Sequence, residues 1–113
     1  MLIAIDVGNT NTVIGLYDGV DPTQATSADE GLLDHWRIST DHDRTPDELA
    51  VILGGFLGFR GTRLKDEVQG VAISSGVPRS TATLRAMTKR YFGVEPIVIE
   101  PGIRTGVAIA VDN

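Results

Sequence analysis

The residues best suited to chemistry stand together near the start of the chain, in the segment Asp6–Val13 with sequence Asp-Val-Gly-Asn-Thr-Asn-Thr-Val. Asp6 is the only charged side chain in the first 17 residues. A single carboxylate can bind Mg²⁺ directly or through water, because Mg²⁺ prefers oxygen ligands and is commonly bound together with phosphates. Gly8 allows the backbone to approach a ligand closely or to adopt a positive φ.

The turn that follows Asp6 offers neutral hydrogen-bond donors for phosphate oxygens. These are the backbone N–H groups of the turn and the side chains of Asn9, Thr10, Asn11 and Thr12. The segment contains neither a Walker A loop nor a G-x-G-x-x-G sequence. The alternative interpretation is an ordinary hairpin turn in which Asp6 caps the loop, and this segment alone leaves both interpretations open.

Two predicted strands position this turn. Met1–Val7 is apolar at every position except Asp6, which is typical of a central strand covered on both faces. Thr12–Tyr17 is rich in β-branched and aromatic residues and predicts a second strand. The short link between them, residues 8–11, predicts an antiparallel hairpin.

A third strand is predicted over Leu32–Thr40, after a long surface loop between Gly19 and Gly31. Alternation separates two faces of this strand. One face carries Leu33, His35, Arg37 and Ser39, and the other carries Asp34, Trp36 and Ile38. We interpret Trp36 as a packing residue of the core or an interface. His35 and His42 share no motif, so they do not indicate a metal site.

The rest of the chain alternates between helices and strands. Thr45, Pro46 and Glu48 form a capping box that starts a helix, which we expect to end near residues 58–61. Its predicted core stripe consists of Leu49, Ile52, Leu53, Phe56 and Leu57. A fourth strand is predicted over Val68–Ser74. The helix that follows begins at Ser75-Gly76-Val77-Pro78 and ends at Gly93. The remaining predicted strands are Pro96–Ile99 and a short one through Val107–Val111.

The bulk composition predicts one globular domain of 113 residues with a modest core. The net charge of -5 argues against a nucleic-acid partner. The chain has no cysteine, which excludes disulfides, zinc-thiolate sites and cysteine nucleophiles. The apolar start is too short for a membrane helix and lacks the basic region of a signal peptide, so we expect a cytoplasmic protein without membrane association.

The segment Asp6–Thr12 resembles the first phosphate motif of the type III pantothenate kinases, members of the acetate and sugar kinase, Hsp70 and actin superfamily. Four later segments resemble the same family in the same order. They are Trp36–Thr40, Arg44–Glu48, Ala72–Pro78, and Pro101–Gly106 running on to Asp112-Asn113. Five segments in the right order are far more specific than any one of them.

The resemblance implies a ribonuclease-H-like, actin-like ATPase half-domain: an α/β fold with a mixed five-stranded sheet and element order β-β-β-α-β-α-β, covering residues 1–113 as a single N-terminal nucleotide-phosphate-binding domain. It implies transfer of the γ-phosphoryl group of ATP to pantothenate, with Mg²⁺, a monovalent cation (K⁺ or NH₄⁺) and a homodimer. Carried over by position, the phosphate-binding residues are Asp6, Val7, Gly8, Asn9, Thr10, Asn11, Thr12 and Val13, and Asp6 is the metal residue.

Three features depart from the family pattern. Val111 stands where many members have Tyr, and Gly76 stands within a stretch that is usually Ser-Ser-Val-Val-Pro. The chain also stops at Asn113, before the Gly-x-Asp-Arg whose Asp is the family's general base, and before the second phosphate motif and the adenosine site. We therefore expect the chain alone to be inactive.

These features leave three hypotheses. The chain is the N-terminal part of a pantothenate kinase, a non-enzymatic relative that acts as a transcription-accessory factor, or a half-domain that assembles with a separate C-terminal half.

Overall fold

The computed structural model describes residues 1–19 and 31–99. Its strands are β1 (Leu2–Val7), β2 (Asn11–Tyr17), β3 (Leu32–Ser39), β4 (Gly70–Ser75) and β5 (Ile97–Ile99). Its helices are α1 (Pro46–Phe59), the one-turn α2 (Leu64–Glu67) and α3 (Pro78–Met87), which continues into a π-helical segment, Thr88–Phe92. The predicted element order is confirmed, with α2 as an addition and strand ends that differ by up to two residues.

The five strands form one mixed sheet in the order β3-β2-β1-β4-β5. β1 pairs antiparallel with β2 and parallel with β4, and β2 pairs antiparallel with β3. β5 adds to β4 in parallel. This is the mixed sheet of the ribonuclease-H-like fold that the resemblance implied, and it puts β1 at the centre.

The main core lies between one face of the sheet and the helices α1 and α3. Alternate residues of the central strands point into it, among them Ile3 and Ile5 of β1 and Ile73 of β4. Leu53 and Leu57 of α1 pack against them, as do Leu84 and Met87 of α3. Four of the five residues of the predicted α1 stripe are confirmed as core residues, since Leu49 and Phe56 also pack against this core. The fifth, Ile52, is half-buried and lines a small cavity together with Ile5 and Leu84.

The other face of the sheet carries a smaller apolar cluster formed by Ala4, Val13 and Tyr17, all of them buried. Because side chains alternate between the two faces of a strand, Asp6 lies on this second face with Ala4. Asp6, which carries the one carboxylate of β1, therefore lies on the face of the sheet that is turned away from the helices α1 and α3.

The predicted faces of β3 are confirmed by its burial pattern, which alternates at every residue from Leu32 to Ser39. Trp36 lies on the less exposed face and stacks on Phe56 of α1, with ring centroids 5.1 Å apart and planes 6° from parallel. This pair holds the edge strand against the helix.

The capping box at the start of α1 is present as predicted. The Thr45 hydroxyl accepts the Glu48 N–H at 3.1 Å, and the Glu48 carboxylate accepts the Thr45 N–H at 3.1 Å. The π-helical segment that continues α3 is held beside this helix start, because the Tyr91 hydroxyl donates to the Asp47 carboxylate at 2.6 Å. This hydrogen bond, and to a lesser extent burial, raises the pKa of Tyr91, while the charge of nearby Arg90 opposes the shift.

Gly55 offers a simple test of the α1 assignment. It lies in the middle of the helix, and a Cβ built there has no atom within 4 Å. Gly55→Ala should therefore raise the free energy of unfolding by roughly 0.5–1 kcal/mol, because alanine loses less backbone freedom on entering a helix. Chemical denaturation of the 113-residue chain measures this, and a decrease in stability would contradict an open helical position at Gly55.

Gly93 ends the π-helical segment with φ of 73°, as the sequence predicted.

Two other predictions, the surface loop at residues 20–30 and the short strand through Val107–Val111, lie outside the described residues. Within the described ranges, no helix is both long and apolar enough to cross a membrane.

Candidate phosphate-binding site

The candidate site lies at the end of the sheet where two neighbouring parallel strands, β1 and β4, have their carboxyl ends side by side. The parallel register places Asp6 beside Ser74 and Val7 beside Ser75. On its other side, Asp6 faces Val13 of β2. Asp6 is partly buried, whereas Val13 and Ser74 are 7% and 5% exposed. Ligands of open α/β sheets bind outside the carboxyl ends of the parallel strands, so Asp6 stands where such a ligand would be expected.

The turn between β1 and β2 is closed by a hydrogen bond from the Gly8 N–H to the Asn11 carbonyl at 2.9 Å. A Cβ on Gly8 would lie only 2.9 Å from that same carbonyl oxygen. Glycine is therefore needed here for the close approach of two backbone segments. The three residues that follow, Asn9, Thr10 and Asn11, are exposed at the sheet edge.

Thr12 is oriented differently from Asp6. It pairs with Val7 across the hairpin and, by the alternation of the strand, lies on the face of the sheet that α1 and α3 cover. Its side chain is 7% exposed, and its hydroxyl lies 3.0 Å from the hydroxyl of Thr40. The eight sequence-predicted residues are thus continuous in the chain but divided between two faces of the sheet.

The loop after β3 fastens this turn to the rest of the domain. The Thr40 hydroxyl donates to the Gly8 carbonyl at 2.8 Å, and the Thr40 N–H donates to the Thr10 carbonyl at 2.9 Å. Two residues later, His42 is hydrogen-bonded through Nδ1 to the Ser80 hydroxyl of α3. An ion pair between Arg79 and Asp43, at 2.5 Å, lies beside that contact.

Cavities of very different size adjoin the site. A small one of about 30 Å³ lies beneath the turn, where Thr12, Thr40, His42 and Ser80 contribute polar atoms. It has room for one or two water molecules but not for a substrate. A wide groove of about 590 Å³ starts at Ser75 and runs along the outer face of α3. Its volume suits a small molecule.

The donor set around Asp6 determines what kind of cation it could hold. In residues 1–19 and 31–99, no cluster of three or more His, Cys, Asp or Glu side chains could bind a metal. One carboxylate beside an exposed polar turn instead suits a cation that arrives with a phosphate ligand and retains several waters, which is the usual behaviour of Mg²⁺.

Sequence reasoning assigned no site role to Thr40, His42 or Ser74. Ser74 and Thr40 each stand within a segment that carried the family resemblance, but their contacts arise from strands that are distant in the chain. For Thr40, the sequence offers one local signal, which is its position at the end of the strand predicted over Leu32–Thr40. His42 shares no motif with His35 in the sequence, and its contact with Ser80 depends on how α3 packs.

Comparison with known proteins gives a consistent result over the whole chain. The family model for type III pantothenate kinase matches residues 2–113. The type III pantothenate kinase of Streptomyces avermitilis is 50% identical over 117 aligned residues, and that of Geobacter sulfurreducens is 43% identical over 113. Each alignment covers 100% of this chain and 40% of the relative, so the chain spans well under half the length of these relatives.

Among solved structures, the type II variant of the Aquifex aeolicus Ppx/GppA phosphatase is similar with a TM-score of 0.45 and 14% sequence identity. That similarity covers 88% of this chain and 35% of the phosphatase chain. The family match and the identity to the curated relatives establish that this chain belongs to the type III pantothenate kinase family.

Proposed function

We propose that this chain is the nucleotide-phosphate-binding part of a pantothenate kinase, which transfers the γ-phosphoryl group of ATP to pantothenate. The products are ADP and 4'-phosphopantothenate, and the reaction is the first step of coenzyme A biosynthesis. The observation that carries the proposal is the family match over residues 2–113, within which Asp6 and its turn lie at the carboxyl end of the central strand.

In this proposal the segment Asp6–Val13 binds the phosphates of ATP. The exposed turn provides backbone N–H groups and the side chains of Asn9, Thr10 and Asn11, while Gly8 allows the chain to fold back closely on itself. Positioning and charge neutralisation account for most of the catalysis in phosphoryl transfer. A turn that is closed by the hydrogen bond from Gly8 to Asn11, beside a carboxylate, is therefore a suitable component.

Asp6 is the proposed metal residue. Asp6 is a partly buried residue of a strand that is hydrogen-bonded on both sides, so its backbone position is well defined. When bound, Mg²⁺ would neutralise the charge that develops on the transferred phosphoryl group. Asp6 would hold the cation at the edge of the sheet, and the turn would hold the phosphates next to it.

The remaining features of the proposal rest on family membership. They are the monovalent cation, K⁺ or NH₄⁺, the homodimer and a cytoplasmic location. The family's general base belongs to the pattern that follows Asp112-Asn113, so the chemistry of proton removal from pantothenate is assigned to a segment other than residues 1–113.

The test uses a completed protein, in which residues 1–113 replace the matching N-terminal 40% of the Streptomyces avermitilis relative. We expect ADP formation that requires both ATP and pantothenate, with 4'-phosphopantothenate identified by mass spectrometry. The C-terminal part of the relative alone and the 113-residue chain alone are the controls, and each should be inactive. A folded completed protein that forms no product would contradict the proposal.

A further inference from the structure

We infer that Thr40 is a positioning residue for the phosphate turn, which is the turn of residues 8–10 between β1 and β2. In this inference the Thr12 hydroxyl donates its hydrogen bond to Thr40 and not to a phosphate. The inference deepens the proposed function and rests on it. It concerns the hydroxyl groups of these two threonines and the two turn carbonyls that Thr40 engages.

The direction of the hydrogen bonds follows from the chemistry of the partners. A carbonyl oxygen can only accept, so the Thr40 hydroxyl must use its single proton for the Gly8 carbonyl, 2.8 Å away. The 3.0 Å contact between the Thr12 and Thr40 hydroxyls must then be donated by Thr12. The proton of Thr12 is therefore used within the protein, on the face of the sheet opposite to Asp6.

Thr40 thereby engages two carbonyls of one short turn. Its hydroxyl holds the carbonyl of Gly8, and its backbone N–H holds that of Thr10 at 2.9 Å. Carbonyl oxygens repel a phosphate, so their engagement by Thr40 keeps two unfavourable dipole ends directed into the protein. Across residues 1–19 and 31–99, no backbone carbonyl accepts the N–H of Asn9 or Thr10. Both residues are exposed, and in this inference their N–H groups are the donors that face an anion on the outer side of the turn.

Thr40 is itself held in place by its neighbours along the chain. Asp41 accepts the Asp43 N–H at 2.9 Å, and the Arg44 side chain donates to the Ser39 carbonyl at 2.7 Å. With the contact between His42 and Ser80, these bonds fasten the loop to β3 and α3. The turn is therefore positioned by a loop that is anchored elsewhere in the domain.

The test compares three variants in the completed protein. Thr40→Val keeps the shape of the side chain but removes the hydroxyl, and Thr40→Ser keeps the hydroxyl. Thr83→Val is the matched control, because Thr83 lines the same small cavity but its hydroxyl donates to the Arg79 carbonyl within α3. We expect Thr40→Val to lower kcat/KM for ATP about tenfold, as for the loss of one or two net hydrogen bonds. KM for pantothenate should not change, and Thr40→Ser should restore activity.

A second measurement separates this inference from the proposed function. In the 113-residue chain, Thr40→Val should speed hydrogen exchange of the Gly8 amide, whereas Thr83→Val should not. If the unmodified completed protein has no kinase activity, the proposed function fails and the Gly8 exchange rate still decides the role of Thr40. Unchanged Gly8 exchange would overturn the inference. Equal rises in KM for ATP and pantothenate would overturn it too, because they would indicate general structural damage.

Discussion

Asp6→Asn should lower the turnover of the completed protein by at least roughly two orders of magnitude, as expected for the loss of a preorganised charge at the reacting phosphate. The fold should be retained, because Asn has nearly the same shape and the flanking Val13 and Ser74 are packed regardless of that charge. KM for pantothenate should change little. Steady-state kinetics and thermal melting of the same variant measure both properties.

The matched control is Asp18→Asn, which removes a carboxylate from an exposed position just after β2. It should leave turnover unchanged. If Asp6 only caps the hairpin turn, the opposite pattern is expected: stability falls by about 1 kcal/mol and turnover stays near normal. Normal turnover with a lower melting temperature would thus identify Asp6 as a turn residue and not as part of a phosphate site.

Gly8→Ala should have the second largest effect. The new Cβ would lie 2.9 Å from the Asn11 carbonyl oxygen, which is backbone and can move only if the turn opens. The hydrogen bond that closes the turn, 2.9 Å from Gly8 N to the same oxygen, would be strained with it. We expect a stability loss of roughly 1–3 kcal/mol, in the range found for overpacking. Turnover should fall about a hundredfold, because small displacements of positioning groups slow reactions strongly.

Gly55→Ala serves as the control for this variant, since its added methyl group meets open space. Denaturation, kinetics and the exchange rates of the turn amides would be measured for both proteins. Retention of full activity by Gly8→Ala would show that the geometry of the turn is not needed for phosphate binding.

Much of the fold could be predicted because its signals are local. The capping box joins Thr45 to Glu48 over three residues, and both hydrogen bonds are formed by groups of one helical turn. The alternation in β3 likewise follows from the geometry of a single strand, which sends successive side chains to opposite faces. Such features depend little on what packs around them.

The one-turn helix α2 was not predicted, and the predicted bounds of β4 were wrong by two residues at its start and one at its end. β4 runs over Gly70–Ser75, whereas the expected range was Val68–Ser74. Val68 lies outside β4 but is buried in the main core. An apolar residue is therefore found at this position because it packs in the core, and not because it belongs to a strand. Apolar residues beside a strand resemble the strand itself when only the sequence is compared.

The candidate site shows the same division. The residue types and spacing of Asp6–Val13 are enough to indicate a phosphate turn and a metal carboxylate, and that assignment stays a prediction. The register between β1 and β2 places Asp6 and Thr12 on opposite faces of the sheet. If the pairing were shifted by one residue, every side chain of β2 would lie on the other face. The pairing of β1 with β4 brings Ser74 beside Asp6, and Thr40 reaches Gly8 across 32 positions of the chain. These contacts depend on how distant strands pack together, which no local pattern of residues specifies.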